Sequence, residues 1–211
     1  MELYQKPIMQ EKGMFLRKNS FLYFYFFIYL TLSTHISVLS DENKSVLVKN
    51  YLNELKFFSA SFIQDDGLNI SEGRIFIGDQ RVRVEYSKPS KILIILGKSK
   101  GMYYNYELEE DEFFDPKDTP AWFFYDTFNN LDFFNDALLN LNKNSIVIEK
   151  KGSNEIGEFI IKVFFEDNPL ILRRIKLELS DDYTSLSFFD HKYNETFDDR
   201  FFKLINPIFF D

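Results

Sequence analysis

The sequence contains no cysteine. This excludes disulfides, thiolate metal sites, a cysteine nucleophile and a lipid anchor carried on an N-terminal cysteine. Histidine is scarce too. Of the two, His35 falls in an amino-terminal segment read below as removed, which leaves His191 alone. One histidine builds neither a histidine-based metal site nor a histidine triad, and it reads as a solvated strand residue. Positive charge is the minority sign: the net charge is −8 and the pI about 4.9, against the basic footprint that nucleic-acid binding needs. The eight glycines are isolated in turns, and none forms a phosphate loop after a strand. Glu107, Glu109, Glu110, Asp111 and Glu112 form a charge run in a loop. It lacks the spacing of a calcium loop and reads as a solvated acidic face. No catalytic constellation, metal site or cofactor is expected, so the chain is read as a binding protein and not an enzyme.

Aromatic surface is what the sequence has in excess, with 26 Phe among 211 residues. Such residues are normally buried, and a surplus needs a cavity or a partner surface.

Residues 14–40 read as an address. Arg17 and Lys18 precede a run of twelve mostly apolar residues, Phe21 to Leu32, and Val38-Leu39-Ser40 suits a cut before Asp41. The run is shorter than the roughly 20 residues of a membrane span, so a cleaved signal peptide over 1–40 is expected, with Met14 an alternative start to Met1. Its removal leaves 21 basic and 31 acidic residues, net −10, in a single exported domain, 41–211.

Helix-like spacing runs from Asp41 to Phe58, capped by Asp41 or Ser45. Short strands follow at 59–64, 72–77, 81–87, 91–96 and 102–106, with tight turns such as Gly78-Asp79-Gln80, the pattern of an antiparallel meander. Thr119-Pro120 then reads as a cap and first turn of a helix, and a second helix-like segment spans 132–142. Strands return from Ser145 and include "RFFKLINP" near the end. In the 81–86 strand, Val82, Val84 and Tyr86 share one face, while Arg81, Arg83 and Glu85 meet water. Lys91–Leu96 is apolar on both faces, so its outer side also needs a cover, for which the first helix is the candidate.

Five stretches resemble, in order, the periplasmic outer-membrane lipoprotein carrier family, LolA. Phe58, Ala60, Phe62 and Gln64 match its "F-x-A-x-F-x-Q" strand and Gly73 the glycine before the next. Arg83, Val84, Tyr86 and Pro89 match its "R-F-x-Y-x-x-P"-like strand, Tyr104-Asn105 a Tyr-Asn strand, and Thr119-Pro120 the start of its lid. The resemblance covers most of residues 45–130. It implies a mainly β (α+β) fold, an open antiparallel half-barrel with an N-terminal helix and two lid helices over an apolar cavity. It implies a monomeric periplasmic carrier that takes lipoprotein acyl chains from an inner-membrane ABC transporter to an outer-membrane receptor. The cavity lining would be Phe62, Ile75, Ile77, Val82, Val84, Tyr86, Ile92 and Ile94, with Leu93 and Ile95 the alternative for the last strand. The lid would be Trp122, Phe123, Phe124, Phe128, Phe133 and Phe134. The receptor of the same pathway is disfavoured by the missing cysteine anchor. A carrier of another lipid on the same fold is the alternative function, and a simply packed barrel core the alternative for the lining. One departure stands out: where the family commonly has an Arg-Pro pair whose Arg bonds the lid, this chain has Gly78-Asp79-Gln80, so closure needs other contacts.

Overall fold

The computed structural model describes residues 43–180 and 182–210. The expected signal segment, 1–40, and the cut before Asp41 lie outside the described residues. From Ser45 onward the chain forms one unit, framed by a single eleven-stranded antiparallel sheet in the order β6-β5-β4-β3-β2-β1-β11-β10-β9-β8-β7. The first meander comprises β1 (Phe58–Asp65), β2 (Ile70–Gly78), β3 (Arg81–Lys88), β4 (Ile92–Leu96), β5 (Gly101–Asn105) and β6 (Glu110–Phe114). The second comprises β7 (Leu138–Asn142), β8 (Ser145–Asn154), β9 (Gly157–Glu166), β10 (Ile171–Leu179) and β11 (Asp182–Lys192). Pairing of β1 with β11 joins the two, and the sheet stays open with β6 and β7 at its edges.

That order has a consequence for the chain between them. β6 and β7 are consecutive in sequence yet lie at opposite edges, so residues 115–137 must cross a face of the sheet. This crossing segment carries helix α2 (Ala121–Asn129) between two 3-10 turns, Pro116–Asp118 and Leu131–Phe134. A preceding helix, α1, occupies residues 43–54. It buries Val48, Leu52 and Leu55 in the same core as α2's Phe123 and Phe128. The Tyr51 hydroxyl accepts the Leu172 amide of β10 at 3.0 Å, and burial raises its pKa.

Several boundaries depart from the sequence reading. The first helix ends before Phe58, because Phe57 adopts φ 59° and Phe58 opens β1. The acidic run is not all loop: Glu110–Phe114 is edge strand β6, paired with β5. The second lid helix shrinks to the turn Leu131–Phe134, and Leu138–Asn142 joins β8 as a strand. Its alternating "LLNLN" has a ladder available there, and pairing overrides local helix spacing. "RFFKLINP" is no strand but part of an irregular strap, residues 193–210, ending in the 3-10 turn Pro207–Phe210.

This strap, and not the first helix, covers the outer face of β4. Leu93 and Ile95 pack outward with Met102 and Tyr104 of β5, against Leu204 of the strap. Ile94 and Leu96 point the other way, into the main core. Beside them Phe76 meets the rings of Phe197 and Phe201 at 6.0 and 5.0 Å. Arg83, expected to meet water, lies under the strap: its guanidinium sits 4.3 Å over Phe201 and donates to the Phe201 carbonyl at 2.7 Å. The strand apolar on both faces therefore has a cover on each. His191 is likewise not solvated. It is half-buried in β11, its Nε2 donates to the Leu172 carbonyl at 2.7 Å, and burial lowers its pKa.

Candidate functional site

The inner face of the sheet, under α1 and α2, is largely apolar from β4 across to β8, with Glu112 of β6 at one edge. Strand alternation places Phe62, Ile75, Ile77, Val82 and Val84 there, all buried in one cluster, with Tyr86 and Ile94 packed against it. Ile92 shares their register, opposite Tyr86, but sits at the rim, half-exposed. The other half of the sheet also contributes apolar residues, which the sequence reading left out. Phe159, Ile161, Val163 and Phe165 of β9 face the same core, as do Ile175 and Leu177 of β10. The two-residue alternation of "EFIIKVFFE" carried that signal.

Four of the motif residues meet in one knot. Gly73 of β2 stands in register between Phe62 of β1 and Tyr86 of β3. Across it the two rings meet edge to face at 5.3 Å, and the Tyr86 hydroxyl donates to the Gln64 side chain at 2.7 Å. Burial pushes the Tyr86 pKa up to about 12, so the group is a neutral donor. A Cβ on Gly73 would run into the Glu85 carbonyl oxygen and come within 2.7 Å of the Phe62 ring. Gly73→Ala is expected to cost about 1–3 kcal/mol through overpacking, measured as a lower urea midpoint at unchanged slope.

The crossing segment fills the space over this surface with its own rings. Phe123, Phe128 and Phe134 are buried, and Trp122, Phe124 and Phe133 pack around them. Phe123 reaches across to Phe159 of β9 at 4.7 Å, and Phe133 stacks on the same ring at 6.4 Å. All six of these aromatic residues lie in the segment that crosses the sheet. The helix start differs by one residue: Pro120 is the cap position, and the Thr119 hydroxyl donates to the Pro116 carbonyl at 3.0 Å. Next to the lid's first turn is a cavity of about 330 Å³, lined by Ile94, Phe114, Pro120 and Ala121 with Tyr103, Glu112 and Thr119. That volume is near the lower end for a small-ligand site. A larger cavity, about 560 Å³, borders Phe62, Gly73, Tyr86 and Ile92 away from the crossing segment.

What holds the lid is visible at its polar edge. The Tyr125 hydroxyl donates to the Gln80 side chain at 3.3 Å, and Gln80 itself stands at φ 52° in the β2–β3 turn. The contact missing with the Arg-Pro pair is thus replaced by a neutral bond from the same turn. Lys49 of α1 donates to Asn135, just past the lid, at 3.0 Å. A neutral hydrogen bond contributes about 0.5–1.5 kcal/mol. Tyr125→Phe should therefore weaken closure by about that much, and Gln80→Ala should add little to it. Trp122, the one tryptophan of the chain, stacks on Tyr125 at 5.6 Å, so its fluorescence reports lid position for both variants. Adding the two effects in full would mean that no bond couples them.

One lid group is out of place energetically. Asp126 is 5% exposed, with the Asn130 amide at 3.5 Å. Burial raises its pKa to about 6, partly offset by Asn130 and by Lys117, Lys150 and Lys98.

The family whose profile describes "Outer membrane lipoprotein carrier protein LolA" matches residues 53–205, the sheet, the lid and most of the strap. The chain belongs to the LolA family. The family is described as one of lipoprotein carriers, and the open eleven-stranded sheet with its helices fits that membership. A search of curated proteins finds no match. Among solved structures, an uncharacterized conserved protein from Thermus thermophilus is similar, with 10% identity and a TM-score of 0.48, over 77% of this chain and 93% of that one. LprF from Mycobacterium bovis is similar at 9% identity and a TM-score of 0.38, over 77% and 95%. Neither likeness bears on the assignment at these scores. Among the described residues, no helix is long and apolar enough to cross a membrane.

Proposed function

We propose that this LolA-family chain is a periplasmic carrier that shields the acyl chains of lipoproteins on the inner face of its sheet. The chain would carry them from an inner-membrane ABC transporter to an outer-membrane receptor. The observation that carries this reading is the lid, a segment forced by strand order to cross an apolar sheet face and filling it with its own rings. Each CH₂ removed from water is worth roughly 0.8 kcal/mol, so an acyl chain can replace those rings without leaving the face wet. The residues proposed to touch cargo are Phe62, Ile75, Ile77, Val82, Val84, Tyr86, Ile92 and Ile94, together with the β9 and β10 residues opposite. The lid rings Trp122, Phe123, Phe124, Phe128, Phe133 and Phe134 would be displaced. Export by the 1–40 segment and a monomeric state complete the proposal.

The test is mass spectrometry of what stays bound to residues 41–211 purified from a periplasm without detergent. Stoichiometric acylated lipoprotein is the expected result. Another lipid would keep the carrier and change its cargo. An empty protein that also refuses a hydrophobic fluorescent probe would end the reading, leaving the rings as plain core.

A further inference from the structure

The strap does more than cover Leu93 and Ile95. Between it and the outer face of β3–β5 runs a groove of about 470 Å³, well within the range of small-ligand sites. Four cations line it, Arg83 and Lys91 from the sheet side and Arg200 and Lys203 from the strap, against one carboxylate, Asp198. In a chain of net charge −8, this is a local reversal of sign. Part of the charge is committed: Arg83 pairs with Glu85 at 2.6 Å, and Arg200 with Asp198 at 3.2 Å. Lys91 lies 4.7 Å over the Tyr106 ring. An ammonium has three donors, so that contact leaves Lys91 able to bind an anion as well.

We propose that this groove binds a phosphate ester, its charge met by Lys91 and Lys203 with Arg200 beside them, and its organic part lying on Tyr106 and Phe201. A phosphate offers several acceptor oxygens to converging ammonium groups. A carboxylate is best met by one bidentate arginine, and Arg83 already engages Glu85 through two of its nitrogens. Two sources share the chemistry, a soluble phosphate ester and the head group of an anionic phospholipid. The second would give an acidic protein a local foothold on a negatively charged bilayer, where each nearby lysine contributes attraction. Groove and lid lie on opposite faces of one sheet, so occupancy of the groove does not require acyl loading, and its test stands apart from the carrier reading.

The exported chain, residues 41–211, is titrated with glycerol phosphate and floated with phosphatidylcholine vesicles, with and without phosphatidylglycerol. Lys91→Ala/Lys203→Ala is compared with Lys143→Ala/Lys151→Ala, which removes equal charge from exposed positions on the other half of the sheet. All three proteins should melt alike. The groove pair is expected to lose about 30-fold in affinity and the control pair almost none. Binding of the soluble ester without vesicles assigns a soluble ligand, and binding to the anionic vesicles assigns the head group. Equal losses in both pairs, or no binding of either probe by the native chain, would overturn the site.

Discussion

Phe123→Ala is expected to open the lid without unfolding the sheet. The ring is 1% exposed and packs on Phe159 at 4.7 Å, and removing such a ring from a core costs about 3–5 kcal/mol. The lid's own margin is small. Each of its four buried rings, Phe123, Tyr125, Phe128 and Phe134, contributes roughly 1.5–3 kcal/mol, while ordering the nine residues of α2 costs about 1 kcal/mol or more apiece. The loss therefore exceeds what closure can absorb, and the open form becomes the populated one. Trp122 fluorescence should then show a solvent-exposed indole at temperatures where the sheet's circular dichroism is still native, and binding of a hydrophobic probe should rise severalfold. A single coincident transition for both signals, lowered by the full amount, would make the lid part of a cooperative core and remove its role as a gate.

Asp126→Asn is expected to act in the opposite direction. The carboxyl titrates at about 6 in the closed lid, and on an opened lid it returns to the ordinary value near 4. Closure is therefore most favoured below about pH 4, where the group is protonated in both states. Its advantage is lost as the pH rises through 6, because the closed lid must then bury a carboxylate. One pKa unit is worth about 1.4 kcal/mol. The attraction of Lys117, Lys150 and Lys98 is already contained in that value, so the penalty at neutral pH is of the order of 2–3 kcal/mol. The asparagine, of nearly the same shape, removes it. Between pH 4 and 7 the native Trp122 signal should shift toward the open form, and that of Asp126→Asn should stay flat. Parallel curves for the two proteins would show that another group sets the pH dependence.

Taken together, the two variants describe a lid close to balance. Phe123 holds it down and Asp126 loosens it at neutral pH. The neutral Tyr125–Gln80 bond is one of the other contacts that closure needs where the Arg-Pro pair is missing. On the proposed function, such a lid would exchange its own rings for acyl chains at modest cost.

The sequence by itself determined β1 to β5 of the first meander and the apolar side of β3, because a period of two leaves Val82, Val84 and Tyr86 no other arrangement once one face is buried. It also determined the place of the lid, through Thr119-Pro120 and the crowding of rings after it. Only the tertiary structure decided the rest, because those outcomes depend on partners far away in the chain. Leu138–Asn142 became a strand because β8 offered a ladder. Leu93 and Ile95 found their cover in the strap, around Leu204. Gln80 became the lid's anchor because Tyr125 arrives beside it from 45 residues away. Local pattern fixes which face is apolar; what that face meets is set by strand order, which carries the lid across the inner side and leaves the outer side to the strap.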